Sequence, residues 1–196
     1  MAAKITMHML GNSHLDPVWQ WDWREGAMEA VATCRTMAQL MNEYPELTYM
    51  RGEAWLYEQI EQSDSALFDT IRRLVATGRW EPVGGSYVQS DANLPATTTM
   101  LRQFAIGKRY FAEKFNINIT VAWFADSFGQ SAGMPEIYAA SGIRYLAFSR
   151  PGALSFALEK PLFRWRGRSG KEILCYRNLA YYSDRDSVGA LLDQYL

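Results

Sequence analysis

Cysteine and histidine are scarce in this sequence, with two of each among its 196 residues. Cys34 and Cys175 are isolated in the chain, so their spacing matches none of the cysteine-based metal motifs. A single disulfide between them is one alternative. We favour two buried thiols in a cytoplasmic protein, because disulfides are rare in that compartment.

A long apolar run and an excess of charge are also lacking. No stretch approaches the roughly 20 apolar residues that span a bilayer, so we expect no membrane-spanning helix. The first ten residues lack the apolar segment and cleavage site of a secretory signal, which agrees with a cytoplasmic location. The net charge is −1 with acids and bases interspersed, and we therefore expect no nucleic-acid partner.

What is present is the composition of a globular domain, with 48% hydrophobic residues. Extended and helical patterns alternate along the chain. The strand patterns cover 4–11, 47–51, 80–89, 117–124, 143–149, 162–167 and 172–177, the last two forming a hairpin around 168–170. The helical patterns cover 24–43, 53–62, 64–77, 97–115 and 133–141. This alternation predicts an α/β fold with parallel strands and right-handed crossovers.

Polar and ionisable residues follow most of these strands. In parallel α/β folds the ligand site lies beyond the carboxyl ends of the strands. The residues found there are His14, Asp16, Glu53, Asp91, Asp126 and Arg150. We therefore expect them to gather at one rim. His8 lies within the first predicted strand among apolar neighbours, where we expect an interior histidine.

Each of these residues has a structural alternative to a functional role. His14 and Asp16 are of the types that bind zinc, but a surface histidine and a turn-forming aspartate fit the same pattern. Asp126 either caps a turn or presents its carboxylate to a site. Arg150 is either a surface cation or the partner of a carboxylate. Asp91 either caps the loop that follows it or lines the pocket.

Three tryptophans, Trp19, Trp21 and Trp23, alternate after His14. On an extended chain alternate indoles face one side, where they would form a platform for a sugar ring. Aromatic side chains are more often packed in the core, so we expect at least one of the three to be buried.

Three sequence blocks together resemble glycoside hydrolase family 38, the zinc-dependent retaining alpha-mannosidases. They are HLDPVWQWDWREG at 14–26, VGGSYVQSDANLP at 83–95 and WFADSFGQSAGMPEI at 123–137. Their order and separation also fit the family. The resemblance covers essentially the whole chain, and it implies that residues 1–196 are the N-terminal portion of an alpha-mannosidase catalytic domain. The implied fold is an incomplete (β/α)7-type barrel with parallel strands.

The resemblance also implies roles for individual residues. His14, Asp16 and Asp126 correspond to zinc ligands, and Asp126 corresponds to the catalytic nucleophile as well. Trp19 and Phe128 correspond to residues that line the mannose pocket. Arg150 corresponds to an arginine near the nucleophile. The implied reaction is double displacement at a terminal alpha-mannosidic bond, in which Asp126 attacks the anomeric carbon and a second carboxyl group protonates the leaving oxygen.

The chain departs from the family pattern in several places. The family's fourth zinc ligand, a histidine, and its general acid lie far downstream, and Asp184 and Asp186 are too close to Asp126 to match the acid. We therefore expect a fragment of a larger alpha-mannosidase that binds zinc weakly and is inactive alone. An incomplete barrel exposes strand edges, so we also expect a homo-oligomer. The block YVQSD differs from the family's usual residues, and we assign no pocket role to Tyr87 or Gln89.

Two other functions remain open. One is a metal-dependent carbohydrate deacetylase on a related barrel, although that chemistry usually needs an aspartate and two histidines at one metal. The other is a non-catalytic module that binds a mannose-containing glycan or a partner. The natural substrate is not identified by the sequence, whether it is an N-glycan, a storage glycan or a small alpha-mannoside.

Overall fold

The computed structural model of the chain describes residues 8, 10–152 and 155–178. Within these residues seven strands and five helices follow one another along the chain. The strands are β1 (Gly11–Asn12), β2 (Tyr49–Arg51), β3 (Trp80–Pro82), β4 (Val121–Phe124), β5 (Tyr145–Phe148), β6 (Leu162–Arg166) and β7 (Glu172–Arg177). The helices are α1 (Trp23–Glu43), α2 (Ala54–Ser63), α3 (Ser65–Ala76), α4 (Thr97–Phe115) and α5 (Met134–Ala140).

The strands form two sheets that lie side by side. One sheet has the order β1-β2-β3 and the other the order β4-β5-β7-β6. All neighbouring strands run parallel except β6 and β7, which form the antiparallel hairpin that the sequence predicts. Just after β3, the Gly84 N–H donates to the Val121 carbonyl at the start of β4 over 2.9 Å. This hydrogen bond joins the edges of the two sheets.

The predicted α/β class with parallel strands is therefore confirmed. A closed (β/α)7-type barrel is not formed by the strands that the structure describes, since they lie in two sheets of three and four strands. Within the same part of the chain, no helix combines the length and the apolar character that crossing a membrane requires. The cytoplasmic location and the homo-oligomer stay predictions.

The helices lie where the apolar spacing predicts them. The N–H groups of Arg24 and Glu25 donate to the Asp22 side chain, which therefore caps the N-terminus of α1. Helix α4 ends at Asn116, whose φ of 56° is the left-handed conformation typical of a helix C-terminus. The boundaries differ from the predicted ones by a residue or two, as expected for helix ends.

A buried aromatic network connects the first sheet to the helices that cover it. The rings of Tyr49 and Trp80 pack edge to face with centroids 4.6 Å apart. The Trp80 indole N–H donates to the Tyr57 hydroxyl over 2.9 Å, and that hydroxyl donates to the Arg51 carbonyl over 3.0 Å. Because the polar groups of Trp80 and Tyr57 have partners, these two large side chains are buried without the cost of an unsatisfied group.

Several strands are shorter than predicted. Of the strand predicted at 4–11, the described part forms only Gly11–Asn12, while residues 1–7 and 9 lie outside the described residues. His8 is exposed, so the prediction of an interior histidine was wrong. The strand predicted at 80–89 ends at Pro82, because Gly84 and Gly85 have φ values of 80° and 77°. Two successive left-handed residues cannot continue a pleated strand.

The loop that follows β1 lies directly against α1. A Cβ atom at Gly26, in the first turns of that helix, would be 2.3 Å from the Pro17 carbonyl oxygen and 3.0 Å from the Pro17 carbonyl carbon. Only glycine allows the two segments to approach so closely. The helix therefore fixes the position of the His14–Trp19 segment through backbone contact.

We expect Gly26→Ala to destabilise the protein by about 1–3 kcal/mol, the usual cost of overpacking. Without the clash, replacing a helical glycine by alanine would stabilise the protein by roughly 1 kcal/mol. A loss of stability would therefore show that the clash is present. Urea unfolding measures it. Gly133→Ala is the matched control, because nothing lies within 4 Å of the added Cβ. A Gly26→Ala variant as stable as the parent would contradict this account.

Two ionisable side chains are buried at the end of β2. Arg51 is 1% exposed and donates to the Ser13 carbonyl, just before His14. Glu53 is 6% exposed and has a φ of 61°, an unusual conformation for a residue other than glycine. Burial raises the pKa of the Glu53 carboxyl from 4.5 to about 7, with the Arg51 charge opposing this shift and the Asp16 charge adding to it.

This shift predicts a pH-dependent stability. The unfolded chain releases the Glu53 proton near pH 4.5, whereas the folded protein keeps it until about pH 7. Between pH 4.5 and about pH 7 the folded state therefore binds more protons than the unfolded state. The free energy of unfolding falls as the pH rises through this range. Each pKa unit corresponds to about 1.4 kcal/mol.

Glu53→Gln keeps the side chain neutral, so the variant should gain stability relative to the parent between pH 5 and pH 8. Denaturant unfolding at several pH values measures the difference. Glu29→Gln, on the exposed side of α1, removes the same charge and serves as the control. A stability difference between Glu53→Gln and the parent that does not change with pH would contradict the prediction.

Candidate active site

A cavity of about 560 Å³ opens at the carboxyl ends of the strands. The loops after β1, β3, β4 and β5 form its walls. All six residues proposed from the sequence for the metal, the nucleophile and the sugar line it, namely His14, Asp16, Trp19, Asp126, Phe128 and Arg150. The parallel sheets therefore bring together residues that lie up to 136 positions apart in the chain.

An imidazole and two carboxylates meet on the floor of this cavity. His14 Nε2 lies 3.3 Å from Asp16 Oδ1 and 4.0 Å from Asp126 Oδ2. The His14 side chain is nearly buried, the Asp126 side chain is 20% exposed and the Asp16 side chain faces solvent more openly. Two carboxyl groups thus lie within 4.0 Å of one imidazole nitrogen, a set of donor atoms that suits a cation.

The donor types of this group fit zinc, which binds imidazole nitrogen and carboxylate oxygen. Two ligand atoms at ~2.0–2.1 Å from a tetrahedral ion are about 3.3–3.4 Å apart, which agrees with the spacing of His14 and Asp16. The Asp126 oxygen lies farther away. As the side chains stand, no group of three or more histidine, cysteine, aspartate or glutamate residues in the described part of the chain is arranged to hold a metal ion.

Arg150 determines how the Asp126 carboxylate is oriented. The Arg150 Nε–H donates to Asp126 Oδ1 over 2.6 Å, which leaves Oδ2 directed towards His14. The guanidinium carbon of Arg150 also lies 4.9 Å from the centroid of the Phe128 ring. Arg150 is thus the partner of a carboxylate, as one of the two sequence interpretations proposed, and it contacts the aromatic wall of the cavity at the same time.

The three tryptophans have different positions. Trp19 and Trp21 both line the cavity, with ring centroids 5.5 Å apart in an edge-to-face arrangement. The Trp21 indole N–H donates to the Asp16 carbonyl over 3.0 Å, which holds the Asp16 backbone. Trp23 begins α1 outside the cavity lining. None of the three is buried, so the prediction of at least one core tryptophan was wrong.

The other rim residues divide between the cavity and the interior. Asp91 lines the cavity and also caps its own loop, accepting from the N–H groups of Asn93 and Leu94 over 2.7 and 3.3 Å. Both sequence interpretations of Asp91 therefore hold. Glu53 is buried and is not among the residues that line the cavity.

Sequence reasoning missed Gln89. This residue lines the cavity, and its Oε1 accepts from the Ala125 N–H over 3.3 Å, one residue before Asp126. Tyr87 instead donates to Glu58 on α2. The contact of Gln89 is with a main-chain amide, and such a contact leaves no pattern of paired side chains in the sequence. The place of Gln89 in the block that resembles the family, two residues before Asp91, was the available signal.

Comparisons with known proteins agree with this architecture. A model of the glycosyl hydrolases family 38 N-terminal domain matches residues 4–195. Alpha-mannosidase 2C1 from Homo sapiens is 31% identical over 175 residues, which are 89% of this chain and 17% of the human protein. The chain therefore spans less than a fifth of the length of that relative.

Solved structures share the fold at low sequence identity. An alpha-mannosidase from Enterococcus faecalis V583 superposes with a TM-score of 0.78 at 19% identity, covering 89% of this chain and 20% of that one. A 4-alpha-glucanotransferase from Thermococcus litoralis superposes with a TM-score of 0.72 at 19% identity, covering 95% of this chain and 30% of that one. The fold alone thus does not distinguish between sugar chemistries. The family model matches nearly the whole sequence, and the chain belongs to glycosyl hydrolase family 38, matching its N-terminal domain.

Proposed function

We propose that this chain provides the metal-binding and nucleophile-bearing part of a zinc-dependent retaining alpha-mannosidase. Residues 1–196 would form the N-terminal portion of its catalytic domain and part of a (β/α)7-type barrel. The observation that supports this most is the meeting of His14, Asp16 and Asp126, with separations of 3.3 and 4.0 Å, in a cavity with exposed aromatic walls. The substrate would be a mannose-containing glycan or a small alpha-mannoside.

His14, Asp16 and Asp126 would hold the metal. When bound, zinc would act as a Lewis acid and a template for the vicinal 2- and 3-hydroxyl groups of mannose. The protein keeps two of these ligands in place through neighbouring contacts. Trp21 holds the Asp16 carbonyl, and Arg150 holds the second oxygen of Asp126. A tetrahedral site would require the Asp126 oxygen to move closer to His14.

Asp126 would be the nucleophile. Arg150 fixes one oxygen of its carboxylate, so the other has a defined direction within the cavity. In double displacement the Asp126 carboxylate would bond to the anomeric carbon while the bond to the leaving oxygen breaks, and water would then displace the carboxylate and release the sugar. A second carboxyl group must protonate the leaving oxygen, at ~5–5.5 Å from the nucleophile in retaining enzymes. We assign no residue of this chain to that role.

Trp19 and Phe128 would contact the sugar ring. They are 65% and 68% exposed, and both line the same cavity. Large aromatic side chains that are exposed beside a polar cavity are typical of a binding surface, because their apolar faces remain in water until a ligand covers them. Arg150, which lies over the Phe128 ring, would hold that ring in place.

A mannose-binding module without catalysis is the second candidate, and the exposed Trp19 and Phe128 support it equally well. A deacetylase is less favoured, because that chemistry usually uses two histidines at one metal. His14 lines the cavity, whereas the exposed His8 does not.

We expect the chain to bind Zn²⁺ weakly. Three protein ligands at an open rim should give an affinity far below the ~10–16 kcal/mol of structural zinc sites. Equilibrium dialysis should show at least a tenfold loss of affinity in His14→Ala and in Asp126→Asn, because each removes a ligand. His8→Ala is the matched histidine control and should bind as the parent does. Tight stoichiometric binding, or binding that survives both ligand changes, would contradict the proposal.

We also expect mannose to change the tryptophan fluorescence of the zinc-loaded chain. Trp19→Ala should abolish the change, whereas Trp23→Ala, which removes an indole outside the cavity, should leave it. Absence of any fluorescence response in the parent would refute a mannose site.

The chain alone should not hydrolyse an aryl alpha-mannoside measurably, since it lacks an assigned general acid. Measurable hydrolysis that Asp126→Asn abolishes would show that the chain is catalytically complete.

A further inference from the structure

The loop after β3 is hydrogen-bonded to the turn that carries Asp126. Gln89 Oε1 accepts from the Ala125 N–H over 3.3 Å, and the Ser127 hydroxyl donates to the Ser90 carbonyl over 2.9 Å. Asn93 Nδ2 donates to the Phe128 carbonyl over 2.9 Å. These three bonds connect segment 89–93 to the residues on either side of Asp126.

Segment 89–93 and the turn that carries Asp126 also lie close together. Ser127 is buried, with 8% of its surface exposed. Gly129 has a φ of 96°, and a Cβ atom there would be 3.1 Å from Asn93 Nδ2. The chain after Phe128 therefore turns back against Asn93 in a conformation that suits glycine.

Segment 89–93 is itself anchored to the body of the protein. Just before it, the N–H groups of Tyr87 and Val88 donate to the carbonyl and to Oε1 of Gln103 on α4, each over 3.0 Å. Within the segment, the Asp91 side chain accepts from the N–H groups of Asn93 and Leu94 and so stabilises its turn. A segment that is anchored to α4 at its start and stabilised internally can hold a neighbouring turn in place.

The ion pair with Arg150 does not by itself explain the position of Asp126. The Arg150 side chain is 48% exposed, and ion pairs in contact with solvent contribute little to structure. It fixes one carboxylate oxygen but no main-chain dihedral angle. The three hydrogen bonds of segment 89–93 act on the backbone on both sides of Asp126, and those of Gln89 and Ser127 are partly buried.

We infer that Gln89, Asn93 and Ser127 are positioning residues that together hold the Asp126 turn against segment 89–93. They determine where the Asp126 carboxylate meets Arg150 and His14, and where the Phe128 ring stands. That this placement serves mannoside cleavage rests on the proposed function. The placement itself is a property of the chain and is testable without metal or sugar.

The Arg150 Nε–H reports on the position of Asp126, since it donates to that carboxylate. Its ¹H–¹⁵N resonance can be assigned by its loss in Arg150→Lys and followed at mildly acidic pH, where guanidinium exchange is slow. The variants are Asn93→Ala, Ser127→Ala and the double variant. Neither residue contacts Arg150 in the hydrogen bonds described above. Ser127→Thr keeps the hydroxyl, and Asn118→Ala removes an exposed asparagine outside the cavity lining.

We expect exchange of the Arg150 Nε–H and of the Ala125 amide to be at least tenfold faster in the double variant, with smaller increases in the single ones. Ser127→Thr should restore most of the protection, and Asn118→Ala should have none of these effects. Amides in the middle of β5 should keep the exchange rates of the parent.

Two results would overturn the inference. One is an Arg150 Nε–H that exchanges within twofold of the parent in the double variant. The other is faster exchange spread equally over the β5 amides, which would mean that the substitutions lower global stability only. If the double variant does not fold, the single variants and Ser127→Thr decide by the same criteria. Failure of the proposed function is separate, since it appears as the absence of a mannose response in the unmodified chain.

Discussion

The parallel alignment of strands on either side of the Gly84–Val121 hydrogen bond is the constraint on which the site depends. His14 and Asp16 follow the outermost strand of one sheet, whereas Asp126 and Arg150 follow strands of the other. Joining the sheets along β3 and β4 puts the carboxyl ends of all these strands at one edge. The His14 imidazole and the Asp126 carboxylate can then lie 4.0 Å apart, although 112 positions separate them in the chain.

The charges around the cavity explain why the site would attract a cation. Asp16, Asp91 and Asp126 place three carboxylates in its lining, and Arg150 is the cationic residue among those lining it. Below the rim, the buried Arg51 donates to the Ser13 carbonyl and so braces the loop that carries His14. Arg51 is buried and is not among the residues that line the cavity, so it supports the loop from the interior.

Much of the fold and of the site's residue list could be predicted from the sequence, because both depend on local patterns. The helix at 97–115 was predicted at its observed bounds, since its apolar spacing is regular. The extent of β3 was not predicted correctly. The sequence pattern does not reveal that the two glycines after the strand adopt left-handed conformations, which end it. Glu53 shows the same limit, since its position after a strand predicts a place at the rim, whereas the side chain is buried. Gln89 was missed because its partner is a main-chain amide. Distances between side chains depend on how the two sheets are joined, which no short motif encodes.

The choice between catalysis and binding depends on Asp126 more than on the aromatic residues. Exposed rings such as Trp19 and Phe128 are equally useful to a lectin-like module and to a glycosidase, and the fold is shared with an enzyme of different specificity. A module that only binds sugar has no need to hold one carboxylate in a single orientation. Here Arg150 takes one oxygen, the other is directed at His14, and three hydrogen bonds from segment 89–93 hold the turn beneath. Fixing a carboxylate in this way is what an attack on a single carbon atom requires, since a nucleophile must be held in reach of its target before the reaction begins.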